Sequence, residues 1–332
     1  MNPHDLRAQI QARMLAALPH PTQAERAELA EYARMLRDYP ERGGKMLRGM
    51  LLVYSGLAFG AKFERLLPVA AALELFQNWA LIHDDIEDAS EERRGRPALH
   101  RLYGVPLALN AGDALHARMW AMLIEARAPY SVLDEFVRVV DLTAQGQHLE
   151  MSWMQGQRFD LTEQDYLLMC SQKAAYYTAV APLRLGALSA GEEPPEVYTE
   201  AGLNLGIGFQ IMDDVLNLEG DPAKYGKEIA GDLWEGKRTL ILLHWLSRAS
   251  EPERIRAETL LRTPREAKNP QEVAWLHRRL QESGAVAYAR EEAERRLSAG
   301  LEALRPILAE LPEQDAAQTT LQLLERLVRR EA

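Results

Sequence analysis

Apolar residues recur at three- and four-residue spacing along nearly the whole chain, as in Leu66, Val69, Ala70, Leu73, Phe76 and Ala80. A helix that buries one face has this period, whereas a half-buried strand alternates. Alternating runs of Val, Ile, Thr and Tyr are missing, so the pattern predicts an all-α fold. Breaks fall at residues 40–44, 97, 103–106, 129, 192–195, 220–236, 264–270 and 311–313, which leaves helices of roughly 12 to 28 residues. Pro182 lies within the helical pattern of 174–190 and predicts a kink, because it lacks an N–H and crowds the carbonyl one turn back. With no internal repeat, low-complexity segment or linker-like shift in composition, a single domain spanning 1–332 is expected, built as one large helical bundle.

Composition narrows this picture. The chain has 332 residues, 47% of them hydrophobic and 27% charged, enough for a large core in an ordinary globular protein. Lys and Arg number 39 against 49 Asp and Glu, a net charge of -10. That balance argues against nonspecific binding to nucleic acid or to an anionic membrane, so an anionic ligand needs a locally basic pocket. Cys170 is the one cysteine, which rules out an internal disulfide and reads as a core thiol. The first twenty residues have no secretory pattern. The longest apolar run, 66–82, is interrupted by Glu74, Gln77 and Asn78, as in a buried helix rather than a membrane span. No transmembrane segment and a cytoplasmic location are expected.

The candidate chemistry begins where that run ends. Asp84, Asp85, Glu87 and Asp88 follow it directly. On a helix Asp84 and Asp88 share a face, and like charges there repel unless a cation lies between them. A second cluster, Asp213, Asp214 and Asn217, closes another apolar helix at 201–218. Mg²⁺ is held by one or two carboxylates plus phosphate oxygens, so two facing Asp pairs suit a metal bridge to a diphosphate. A solvated helix end is the alternative for either cluster taken alone. His83 beside Asp84 also forms the HD pair of some phosphohydrolases, but partner histidines at suitable spacing are missing; a packed or hydrogen-bonded His83 is the plainer reading.

Together DDIED at 84–88, RRGRP at 93–97 and FQIMDDVLN at 209–217 resemble the trans-prenyltransferase, or polyprenyl synthetase, family, which includes farnesyl and geranylgeranyl diphosphate synthases. The resemblance runs from ERGGKMLRG at 41–49 to the final helix. It implies a bundle of the isoprenoid synthase type around a central apolar cavity, and three Mg²⁺ held by Asp84, Asp88 and Asp213 with Asp85 and Asp214 in support. By the same resemblance Lys45, Arg48, Gln77 and Arg94 bind isopentenyl diphosphate, while Arg93, Lys173, Tyr177, Gln210, Lys227 and Lys237 serve the allylic diphosphate. Asp232 belongs to the same loop motif, and Gln147 with Glu150 matches a family GQxxD element with Glu in place of Asp. Gly49 replaces a frequent proline, Ala174 a threonine and Asn217 the sixth aspartate.

The reaction this implies is head-to-tail condensation of isopentenyl diphosphate with an allylic diphosphate. The loop at 220–236 is long for a compact bundle and reads as a lid that excludes water. The tail of the product is expected to grow from Asp84 toward the start of its helix, where one turn of about 5.4 Å is comparable with one isoprene unit. There Ala80 is small, Trp79 bulky and Phe76 a further turn down. An aromatic at the fifth position before the cluster, without one at the fourth, is similar to C20 synthases, so geranylgeranyl diphosphate is the expected product; ordinary core packing is the alternative role for Trp79. The other readings are a farnesyl or longer polyprenyl synthase, a class I terpene cyclase, which needs no second diphosphate site, and a non-catalytic isoprenoid-binding subunit. A homodimer is expected from the resemblance.

Overall fold

A computed structural model describes residues 2–220 and 229–328. Lys227, with residues 221–228 of the loop predicted at 220–236, lies outside the described residues. In chain order the elements are α1 (Pro3–Ala16), α2 (Ala27–Glu41), α3 (Leu47–Ala58), α4 (Phe63–Glu87), β1 (Glu92–Arg93), β2 (Arg96–Pro97), α5 (Leu99–Tyr103), α6 (Val105–Glu125), α7 (Tyr130–Gln155) and α8 (Glu163–Cys170). A π-helix (Ser171–Val180) follows, then α9 (Ala181–Ala190), α10 (Val197–Glu219), α11 (Gly231–Glu235), α12 (Leu240–Leu246), α13 (Glu251–Arg262), α14 (Pro270–Glu282), α15 (Ala285–Ala309) and α16 (Gln314–Val328). Among the described residues the fold is all-α apart from one short hairpin; helices end at the predicted breaks, and also at 17–26, 59–62, 156–162, 247–250 and 283–284, where no break is predicted. No described helix is long and apolar enough to cross a membrane.

The chain forms two compact units: Met1–Arg138 with Ala181–Tyr198 and Arg305–Leu324, and Val139–Val180 with Thr199–Leu304 and Glu325–Ala332. In the first, α4 packs on α6, and α3 packs on α9 and α4. Leu66, Val69, Ala70, Leu73 and Phe76 of α4 are buried, as their spacing requires. Helices α3 and α9 cross on glycine: a Cβ on Gly186 would stand 2.6 Å from the Gly56 nitrogen, closer than any side chain tolerates.

In the second unit Tyr166, Ile211, Val215, Ile241, Leu276 and Ala289 belong to one buried cluster. Where a kink is predicted at Pro182, the structure shows a change in winding. Proline has no N–H to give the carbonyl of residue 178, and the turns before it widen to π register over Ser171–Val180. Two glycines let neighbouring helices reach this stretch. A Cβ on Gly146 of α7 would lie 2.2 Å from the Lys173 nitrogen, and one on Gly206 of α10 would lie 2.4 Å from the Ala175 Cα.

Candidate active site

The first acidic cluster ends α4, and its carboxylates have different surroundings. Asp85 is buried. It accepts the Tyr39 hydroxyl at 2.5 Å and Arg93 Nε at 2.9 Å, and Arg93 Nη2 closes a second contact to it. The same Nη2 lies 3.3 Å from Asp84 Oδ2. Burial pulls the Arg93 guanidinium down, but the neighbouring Asp85 and Asp84 carboxylates outweigh it and hold the group charged. Burial, reinforced by the Asp85 charge, pushes the Tyr39 phenol well up, so it stays a proton donor.

The hairpin explains how Arg93 turns back onto α4. Arg93 pairs with Arg96 across a two-residue turn in which Arg94 and Gly95 both have positive φ, 54° and 70°. This twist matches that of paired strands, and Gly95 adopts it without steric cost. Arg42 braces the hairpin, donating to Arg93 O at 2.7 Å and Pro97 O at 2.8 Å, and is itself paired with Asp38 at 2.6 Å. Held this way, Arg94 Nη1 donates to Tyr39 O at 2.8 Å and to Asn78 Oδ1 at 3.4 Å. Its guanidinium passes Gly44, where a Cβ would come within 3.1 Å of Nη2.

A buried carboxylate organises the same region. Glu74 of α4 accepts the Gly49 N–H at 2.8 Å. Burial pushes its carboxyl up, while that hydrogen bond and the charges of Arg48 and Arg94 pull it back. Arg94 is lowered by burial and raised in turn by Glu74. Gln77, one turn on, is buried, Arg48 is half-buried and Lys45 exposed. Gly44, Arg48, Glu74 and Arg94 thus belong to one neighbourhood of the first unit.

Below the cluster on α4, Trp79 stacks on His116 of α6 at 4.6 Å between centroids and meets Phe76 edge-on at 5.4 Å. Trp120 Nε1 donates to His116 Nε2 at 3.1 Å. Ala80 is half-buried. His83 is pushed down by burial, against the pull of Asp113; Gly112 makes room for its ring, since a Cβ there would lie 2.3 Å from His83 Nε2.

In the second unit Asp214 is buried. It accepts Tyr166 Oη at 2.8 Å and Gln210 Nε2 at 2.9 Å. Burial raises its carboxyl above the usual range despite those donors. Asp213, beside it, is half-buried. Lys173 pairs with the buried Glu150, which lies one turn after Gly146 on α7, and Tyr177 is half-buried one turn along the π-helix. Asn217 joins α10 to the chain beyond the undescribed residues: its carbonyl accepts the Ala230 N–H at 2.7 Å and its Oδ1 accepts the Asp232 N–H at 3.2 Å. Lys237 pairs with Glu235 at 2.8 Å.

The family model for polyprenyl synthetase matches residues 30–280. This chain belongs to the polyprenyl synthetase family. Among its relatives is the geranylgeranyl diphosphate synthase of Saccharolobus solfataricus, 38% identical over 219 residues, which are 64% of this chain and 65% of that one. The aligned stretch therefore spans just under two thirds of that relative's length. Two solved structures share the fold almost throughout. The geranylgeranyl pyrophosphate synthase from Corynebacterium glutamicum, complexed with isoprenyl diphosphate and magnesium, gives a TM-score of 0.87 at 26% identity, covering 99% of this chain and 98% of that one. The geranylgeranyl pyrophosphate synthetase from Pyrococcus horikoshii Ot3 gives 0.82 at 29% identity, covering 99% and 98%.

Within this polyprenyl synthetase, several supporting residues escaped the sequence reading. Tyr39 and Tyr166, which donate to the second aspartate of each cluster, are of a type ordinary for a helical core and belong to none of the motifs. Their partners lie 46 and 48 residues away. His116 carried no signal, because its stacking on Trp79 depends on how α6 meets α4.

Proposed function

We propose that this protein condenses isopentenyl diphosphate with an allylic diphosphate to give a medium-chain all-trans prenyl diphosphate, geranylgeranyl diphosphate being the product that fits Trp79 and Ala80. The observation that carries this reading is the pair of sets on the first unit: an acidic cluster at the end of α4, and Arg48 and Arg94 beside the buried Glu74, with Gln77 one turn along α4 and Lys45 three residues before Arg48. The first serves a leaving diphosphate. The second serves a diphosphate that stays attached, which a terpene cyclase does not need.

The donors fit magnesium in kind. Asp84, Asp88 and Asp213 are hard oxygen ligands, and Asp84 keeps a quarter of its side chain exposed, 24%. Among the described residues no three acidic, imidazole or thiol groups converge on one point, but Mg²⁺ is usually completed by phosphate oxygens and water rather than by an all-protein cage. Bound there, three Mg²⁺ would neutralise the charge that builds on the departing diphosphate.

The chain's own residues supply the rest. Asp85 and Tyr39 hold Arg93, which lends fixed positive charge beside Asp84. Lys173, Lys227, Lys237, Tyr177 and Gln210 are assigned to the allylic diphosphate; its C–O bond breaks and the diphosphate leaves with the electron pair. Lys45, Arg48, Gln77 and Arg94 orient isopentenyl diphosphate so that its double bond attacks the allylic cation. A proton is then lost to the departing diphosphate. We place the enzyme in the cytoplasm as a homodimer.

The test is an assay of purified protein with Mg²⁺, isopentenyl diphosphate and allylic primers of C5, C10 and C15, with products sized by chromatography. A C20 diphosphate supports the reading. Turnover of the allylic diphosphate without isopentenyl diphosphate would favour a cyclase, and no turnover in any mixture would favour a non-catalytic subunit.

A further inference from the structure

Lys268 lies in the turn between α13 and α14, where lysine is ordinarily solvated, yet it is only 6% exposed. Its Nζ donates to Leu233 O at 2.9 Å and Trp234 O at 2.6 Å. Those carbonyls belong to the last turn of α11, which is too short to offer them amide partners of its own. The Asp232 carbonyl is taken by the N–H groups of Gly236 and Lys237, each at 2.9 Å. Gly236, at a φ of 83°, brings the chain so near that a Cβ there would stand 3.4 Å from Lys268 Nζ.

Two more cations join this arrangement. Arg238 is 2% exposed; it donates to Gly236 O and, at 3.0 Å, to Arg158 O, while its guanidinium lies 4.2 Å above the Phe159 ring. Arg265 reaches Glu235 at 3.8 Å. Burying an ammonium costs folding free energy that an apolar side chain of similar length would not. What Lys268 adds is three donors on one atom, which close a turn that has run out of its own.

We propose that Lys268 is a positioning residue that locks the turn at 231–237 and thereby aims Lys237 at the allylic diphosphate. The inference rests on the function proposed above. Lys268 does not itself touch substrate: its nearest partners are backbone carbonyls.

The experiment uses the full-length protein and its Lys268→Met and Lys268→Arg variants, with each diphosphate varied in turn under saturating Mg²⁺. In Lys268→Met, KM for the allylic diphosphate is expected to rise about tenfold, the effect of roughly one lost charge-assisted hydrogen bond. KM for isopentenyl diphosphate should stay within about twofold, and Lys268→Arg should recover most of the loss. Hydrogen exchange of the amides at 229–239 should be faster in Lys268→Met than in wild type. An unchanged allylic KM, or equal rises in both KM values, overturns the proposal, as does unaltered exchange. If Lys268→Met does not fold, Lys268→Gln, whose amide is uncharged and one bond too short to reach both carbonyls, takes its place under the same criteria. A wild-type protein with no condensation activity would instead refute the proposed function, and the exchange measurement alone would then decide whether Lys268 locks the turn.

Discussion

At position 49 one amide hydrogen governs the local chemistry. Gly49 donates it to the buried Glu74, and Glu74 in turn feels Arg48 and Arg94. Gly49→Pro would suit the first turn of α3 in backbone angle but would delete that donor. It would also press ring atoms toward Glu74 Cγ, which lies 3.2 Å from a Cβ built at this site. The variant should lose about 1–3 kcal/mol of stability, read as a lower denaturant midpoint at an unchanged slope. The same contrast separates the aspartates. From spacing alone Asp84, Asp85 and Asp88 differ only in which face of the helix they occupy, but Asp85 is committed to Tyr39 and Arg93 in the fold. Asn217, which departs from the family's acidic pattern, is likewise engaged with the backbone at 230 and 232.

Helices decide what those residues can reach. Trp79 projects from α4 toward α6 and is pinned there by His116. Trp79→Ala should lengthen the product by at least one isoprene unit, since about one helical turn of bulk is removed. Product sizing checks this, and an unchanged length would assign Trp79 to packing. The turn after α11 has its own signature in pH. Burial pushes the Lys268 ammonium down to about 8, with Arg238 and Arg265 adding to the shift and Glu235 opposing it. Below that value both folded and unfolded chains carry the charge, so folding bears the whole desolvation cost. Between about 8 and the ordinary lysine value near 10.4 the unfolded chain holds more protons than the folded one, so stability rises with pH. Denaturant midpoints at about pH 7.5 and 9.5 should therefore show wild type gaining on Lys268→Met, which lacks this titration. The hairpin at 92–97 and the π-helix at 171–180 were hidden from periodicity. The first is set by two positive φ angles, the second by the combination of Pro182 with two glycines that come from α7 and α10.

For the molecule as a whole, association is the outstanding property. Leu102, Val105, Leu107 and Leu109 are 45%, 48%, 47% and 44% exposed, large apolar side chains on α5 and the start of α6; Val105 and Leu109, four apart, share a helix face that the proposed homodimer would cover. Leu109→Glu should shift a homodimer toward monomer in sedimentation velocity; an unaffected dimer would place the interface elsewhere. Helix content, the helix ends marked by proline and glycine, the buried face of α4 and membership in the family were readable in the chain, because each depends on residues three or four apart or on short contiguous motifs. Tyr39 on Asp85, Tyr166 on Asp214, His116 under Trp79 and Lys268 on α11 were not. Those contacts join residues far apart in sequence whose types are ordinary for a core or a loop. Their roles arise only when packing removes water and leaves a buried carboxylate or carbonyl in need of a donor.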